Sequence, residues 1–163
     1  MSNAKGQLPP FERVIELHGQ AVLRFCAAQA GSERAEDTFQ ETMLAALRAY
    51  EGVRDPEAIR SWLFSIAARK SVDAHRARGR GPEPVADPEP PALDGDIAVF
   101  DGGLWRLVRS LPDKQRSAVA LRYLADLSHG EIAEVMGTST EAARRNVFEG
   151  LRRLREQVAP DQS

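Results

Sequence analysis

The chain has 163 residues, 42% of them hydrophobic, which allows one large domain or two small ones with cores of their own. A formal net charge of −2 argues against a stand-alone DNA binder, whose surface is usually basic, although the local distribution of charge decides more than the total. One cysteine and three scattered histidines exclude a disulfide framework and offer no zinc spacing, and no apolar run approaches the roughly 20 residues of a membrane span.

Phe11–Ala30 reads as a first helix, with Phe11, Val14, Ile15, His18, Val22 and Phe25 on one face. His18 and Cys26 read as packing residues, because no companion ligands sit beside them. Gly31 breaks the helix and Ser32 is placed to cap the next one, Glu33–Tyr50. Its expected buried stripe is Phe39, Met43, Ala46, Leu47 and Tyr50. Asp37, Gln40, Glu41 and Arg48 fall outside that stripe and form either a solvated face or a face for a partner.

After the short loop Glu51–Asp55, Asp55 can cap a third helix and Pro56 fits its first turn. Ile59, Trp62, Leu63, Ile66 and Ala67 supply its apolar stripe, and it turns basic in KSVDAHRARGR. Between Arg69 and Arg80 five basic residues (Arg69, Lys70, Arg76, Arg78, Arg80) stand against Asp73. An aromatic near one end and arginines at the other suit nucleic acid, since aromatic faces stack on unpaired bases and arginines hold phosphates. The plainer alternative is that Trp62 is core, and partial burial is expected for it.

Gly81–Asp101 then carries six acids and no Lys or Arg, with Pro82, Pro84, Pro88, Pro90 and Pro91. Within it, Arg80–Gly95 cannot form a regular helix and reads as an extended or disordered linker. A helix is expected again from Ile97, marked by Phe100, Leu104, Leu107, Val108 and Leu111, with Gly102-Gly103 able to split it. Pro112 starts another, through about Leu124.

The last stretch, Ser128–Arg155, reads as two helices joined by a tight turn. Ser128 and Glu131 have capping-box spacing, Gly137 suits the left-handed residue that ends a helix, and Thr138 with Glu141 repeats the box for the second helix. Ala143, Val147, Leu151 and Leu154 recur at helical spacing, which leaves Arg144, Arg145, Phe148, Arg152 and Arg153 outward. That pattern describes a DNA-binding helix-turn-helix, or more plainly a helical hairpin with a solvated arginine face. There is no G-x-G-x-x-G after a strand, no Walker loop and no Cys-x-x-Cys pair, so no catalytic grouping emerges.

Three runs in order, AEDTFQETMLAALRAY (35–50), RSWLFSIAARKSVDAHRAR (60–78) and SLPDKQRSAVALRYLADLSHGEIAEVMGTSTEAARRNVFEGLRRLR (110–155), resemble a bacterial RNA polymerase sigma factor of the compact extracytoplasmic-function (ECF) type. The resemblance covers about residues 11–78 and 104–155. It implies an all-α protein: a helical domain over residues 8–79, a flexible linker over 80–96, and a helix-turn-helix domain over 97–158. It implies promoter recognition, promoter opening and transcription initiation without catalysis or cofactor.

Site roles follow from the same resemblance. Asp37, Gln40 and Glu41 match the face that docks on the clamp helices of the large subunit of core RNA polymerase. The loop Glu51–Asp55 and the third helix, with Arg60 and Trp62, match the part that opens and reads the minus-ten element. Arg69, Lys70, Arg76 and Arg78 would hold the DNA backbone nearby. Thr140, Glu141, Arg144, Arg145 and Phe148 would face the minus-thirty-five element as duplex. Asn146 and Glu149 stand where family members often carry basic residues. Promoter DNA and core polymerase are the implied partners, an anti-sigma factor is a plausible third, and no membrane is involved. No secretory signal pattern is present, so a cytoplasmic protein is expected. The rival readings are a stand-alone helix-turn-helix regulator and, further off, an all-α metal hydrolase.

Overall fold

The structure is a computed structural model that describes residues 7–80 and 102–158, the side chains of 75–80 and 102–105 excepted. The linker and the residues Ile97 and Phe100 lie outside the described residues. The described residues form helices and no strands, as the all-α expectation required.

Three long helices make the first unit. Helix α1 spans Phe11–Ala30, α2 spans Ser32–Ala49, and α3 spans Ile59–Arg80. Pro9-Pro10 precede α1, and the Tyr50 hydroxyl donates a hydrogen bond to the Pro9 carbonyl. The Phe11 ring stands edge-on to Tyr50 at 5.2 Å, so the entry to α1 is tied to the end of α2. Gly31, at φ 91°, ends α1, and its N–H donates to the Ala27 carbonyl at 3.0 Å. This left-handed backbone costs glycine little, and it turns the chain directly into α2. Gly31 is itself the residue before α2, so Ser32 lies inside that helix and does not cap it, contrary to the sequence reading.

Tyr50–Gly52 closes α2 as a 3-10 turn, and Pro56–Ala58 forms a second one that leads into α3. Asp55 Oδ1 accepts from the Glu57 N–H at 2.9 Å, the cap expected there. Phe25 of α1 and Phe64 of α3 meet edge-on at 5.5 Å in the centre of the core. Both are fully buried, each contributing about 1.5–3 kcal/mol by burial. Val14, Val22, Ala35, Met43, Ala46, Leu63 and Ala67 surround them.

Two outward residues correct the sequence reading of these helices. Leu47 is 53% exposed and Ile15 is 39% exposed. The buried side of α2 is centred on Ala35, Thr42 and Ala46, because α1 and α3 both pack there. Leu47 lies about 100° round the helix from Ala46, past the edge of that contact.

Four helices make the second unit: α4 (Gly102–Arg109), α5 (Asp113–Tyr123), α6 (His129–Met136) and α7 (Thr140–Val158). Its core gathers Val108, Leu111, Ala118, Leu121, Leu127, Ile132, Ala143, Val147 and Leu154. Gly150 is buried where α7 crosses α5. The two units touch along a seam in which α1 meets α4 and α5 and α3 meets α6.

Candidate nucleic-acid interface and docking face

The helix-turn-helix is built by local hydrogen bonds. Ser128 Oγ accepts from the Glu131 N–H at 3.1 Å, and Glu131 Oε1 accepts from the Ser128 N–H at 2.9 Å. This reciprocal box satisfies two otherwise orphaned donors at the start of α6. Gly137, at φ 68° and ψ 40°, ends α6 in the left-handed region, and the Thr138 N–H returns to the Ala133 carbonyl at 2.9 Å.

The cap of α7 differs from the expectation. Ser139 Oγ accepts from the Ala142 N–H at 3.0 Å, one residue later than the Thr138–Glu141 box read from the sequence. Glu141 is thereby freed from capping and stands exposed in the first turn of α7.

Helix α7 buries Ala143, Val147, Gly150 and Leu154, with Leu151 half-buried beside them. The opposite side presents Glu141, Arg144, Arg145 and Phe148 to solvent, with half-buried Thr140 at the helix start. Phe148 is 57% exposed. Arg144 and Arg145 form no ion pair among the described residues. Arg152, by contrast, donates to Glu149 at 2.6 Å and to Glu156 at 2.7 Å, so its charge is already matched. His129, at the first position of α6, is held below its ordinary pKa by partial burial and by the positive charges of Arg122 and Arg144.

On the first unit, Trp62 is half-buried and tilts toward Tyr50 at a ring separation of 6.1 Å, the partial burial expected of it. Arg60 reaches across the seam to Asp126, with Nη1 3.7 Å from Oδ2. It also lowers the pKa of His18, although burial is the larger cause there. Arg69 lines a cleft of about 410 Å³ between α3, α5 and α6, and Lys70 is half-buried. Arg76 and Arg78 fall on α3, but their side chains lie outside the described residues. The structure thus brings Arg60 and Arg69 to the seam, away from the outer face of α7.

Asp37, Gln40 and Glu41 lie exposed on the outer face of α2 and make no side-chain hydrogen bond or ion pair among the described residues. Leu44, 52% exposed, shares this face, and Leu47 borders it. The sequence reading missed Leu44, although its spacing of three and four residues from Glu41 and Gln40 could have found it.

Cys26 is fully buried, and desolvation pushes its thiol pKa up to about 12, so it is an inert packing residue. Among the described residues no group of three or more His, Cys, Asp or Glu is placed to hold a metal ion. No described helix is long and apolar enough to cross a membrane.

A capped helix-turn-helix whose second helix carries exposed Arg144 and Arg145, without ion pairs among the described residues, is the architecture of a DNA-binding protein. Its sequence matches the sigma-70 region 2 family over residues 14–81 and the sigma-70 region 4 family over residues 102–154. It is 34% identical to the ECF RNA polymerase sigma factor SigD of Mycobacterium tuberculosis, over 94% of this chain and 79% of that protein. It is 25% identical to the ECF RNA polymerase sigma-E factor of Escherichia coli, over 96% of this chain and 90% of that one. The fold resembles the Bartonella quintana sigma factor RpoE, solved in complex with the anti-sigma factor NepR, with a TM-score of 0.74 and 24% identity over 91% of this chain and 98% of that one. The chain belongs to the ECF sigma factors, and it directs transcription initiation by RNA polymerase. Sigma factors are DNA-binding initiation factors and not enzymes.

Proposed function

We propose that the two units divide the promoter between them. The outer face of α2, with Asp37, Gln40, Glu41 and the newly recognised Leu44, docks on the clamp helices of core polymerase. The loop Glu51–Asp55 and α3, with Arg60 and Trp62, open and read the minus-ten element, and Arg69, Lys70, Arg76 and Arg78 hold the backbone there. Helix α7 reads the minus-thirty-five element as duplex, with Arg144 and Arg145 on base edges or phosphates and Phe148 beside thymine methyls. Thr140 and Glu141 stand at its entrance.

The observation that carries this reading is the asymmetry of α7. Two arginines without acidic partners and an exposed Phe148 share one side of a helix whose other side is buried. The net charge of −2 agrees with a factor that borrows affinity from core polymerase, because each unit alone then needs only a small phosphate footprint. The likeness to a sigma factor solved with an anti-sigma factor extends the proposal to a protein inhibitor of this one, acting in the cytoplasm.

Run-off transcription on genomic fragments tests the reading. Core polymerase with this protein should yield discrete transcripts that core alone does not. A specific footprint by the protein at nanomolar concentration without polymerase would instead make it a stand-alone regulator.

A further inference from the structure

The loop before α3 has little support of its own. Glu51, Gly52, Arg54 and Asp55 are exposed. Glu51 and Arg54 make no side-chain hydrogen bond or ion pair among the described residues, and a Cβ at Gly52 would meet no heavy atom within 4 Å. The path of the loop is therefore fixed at its two ends. At the far end Asp55 Oδ1 accepts from the Glu57 N–H at 2.9 Å, and the Asp55 carbonyl accepts from the Ala58 N–H at 2.9 Å. At the near end Tyr50 begins the 3-10 turn, and its carbonyl accepts from the N–H of half-buried Val53 at 3.0 Å.

Tyr50 is in turn held from three sides. It is 9% exposed, and its ring is flanked by Phe11 of α1 at 5.2 Å and by Trp62 of α3 at 6.1 Å. Phenylalanine would fill the same space, but a buried phenol also needs a hydrogen-bond partner, and the Tyr50 hydroxyl finds one in the Pro9 carbonyl. That acceptor is stiff. Pro9 has its own φ fixed by the ring, and standing before Pro10 it is confined to extended backbone. Tyr50 thus ties the entry of α1 to the end of α2 and the start of α3. Two of its neighbours, the loop and Trp62, belong to the part assigned to the minus-ten element.

We propose that Tyr50 is a positioning residue for minus-ten recognition: its hydroxyl on Pro9 and its ring between Phe11 and Trp62 hold the loop Glu51–Asp55 on one path before the unpaired strand arrives. Being buried, Tyr50 touches no DNA itself. A loop kept on one path binds with its full affinity, whereas a loop that samples several binds in proportion to the fraction on the competent one. The inference rests on the assignment of the loop and Trp62 to the minus-ten element.

Tyr50→Phe keeps the ring and removes only the hydroxyl. Holoenzyme carrying it is titrated, well below its melting temperature, with two fluorescent probes from a promoter located by run-off transcription: the single-stranded non-template minus-ten segment and the duplex upstream element. Affinity for the first should fall about threefold to tenfold, the range of one neutral hydrogen bond, and affinity for the second should stay at the parent value. Phe11→Leu should act in the same direction, and the two effects should combine less than additively, because both act through one contact network. A purely structural role for Tyr50 would lower the melting temperature and leave the ratio of the two affinities unchanged, and that result would overturn the proposal. Glu51→Ala with Arg54→Ala tests the assignment beneath it. If this double variant weakens strand binding and Tyr50→Phe does not, the loop reads the strand without help from Tyr50 and the proposal alone falls. If neither weakens it, the proposal falls together with the minus-ten assignment of the loop.

Discussion

Gly150 of α7 lies so close to Val119 of α5 that a Cβ at Gly150 would stand 2.6 Å from Val119 Cγ2, and 3.4 Å from the Gln115 carbonyl oxygen. The recognition helix is held at its angle by this close approach. Gly150→Ala gains about 1 kcal/mol of helix propensity but must push the helices apart, and overpacking costs about 1–3 kcal/mol. The expected result is a lower melting temperature and weaker promoter binding together. Gly52→Ala, with no heavy atom within 4 Å of its Cβ, is the packing control and should leave the melting temperature unchanged.

Ser139 and Thr138 separate the observed cap of α7 from the one expected. Ser139→Ala should cost about 1 kcal/mol in urea unfolding, the usual loss of an N-cap side chain. Thr138→Ala should stay within about 0.5 kcal/mol, as surface substitutions usually do. The opposite ranking would return the cap to Thr138.

Arg144→Ala and Arg145→Ala should each weaken recognition of the upstream element by about 1–3 kcal/mol where the side chain reads a base. A phosphate contact would instead weaken all sequences alike and lower the salt slope of binding. Arg152→Ala should do neither, because Glu149 and Glu156 already hold that guanidinium. Fluorescence anisotropy of holoenzyme on matched and mismatched promoters distinguishes these cases.

Asp37→Lys with Glu41→Lys should reduce holoenzyme assembly at least severalfold while circular dichroism stays unchanged, since both carboxylates are exposed and make no internal bond. Leu44→Ser should act in the same direction at every salt concentration, whereas the charge effect should fade as salt rises. Normal co-elution of both variants with core polymerase would make this face merely solvated.

His18 is held below the ordinary histidine value of 6.5 by burial first and by the positive charge of Arg60 second. Protonation is thus harder in the folded protein than in the unfolded chain. The stability that this confers is present above about pH 6.5 and is lost as pH falls through the lower folded value. The melting temperature should therefore decline between about pH 6.5 and 5, before carboxylates contribute. His18→Gln should flatten that decline, and a profile identical to the parent's would exclude His18 as its source.

Much of the helical framework was legible because it is decided within a few residues. The period of apolar side chains placed α1 at Phe11–Ala30, and Ser128, Glu131 and Gly137 announced the helix-turn-helix, since a capping box and a left-handed glycine close hydrogen bonds over three or four positions. The likeness of three ordered runs to sigma factors rested on such local patterns too. Partners from distant parts of the chain were beyond their reach. Leu47 satisfied the period of α2 yet faces outward, because only the arrival of α1 and α3 decides how wide the buried stripe is. Nothing in the sequence around Gly150 points to Val119, against which α7 packs at that position. The partners of Gln29, Arg116 and Ser117, lie 87 and 88 residues away. Burial is a property of what packs against a side chain, and a sequence states the side chain but not its neighbours.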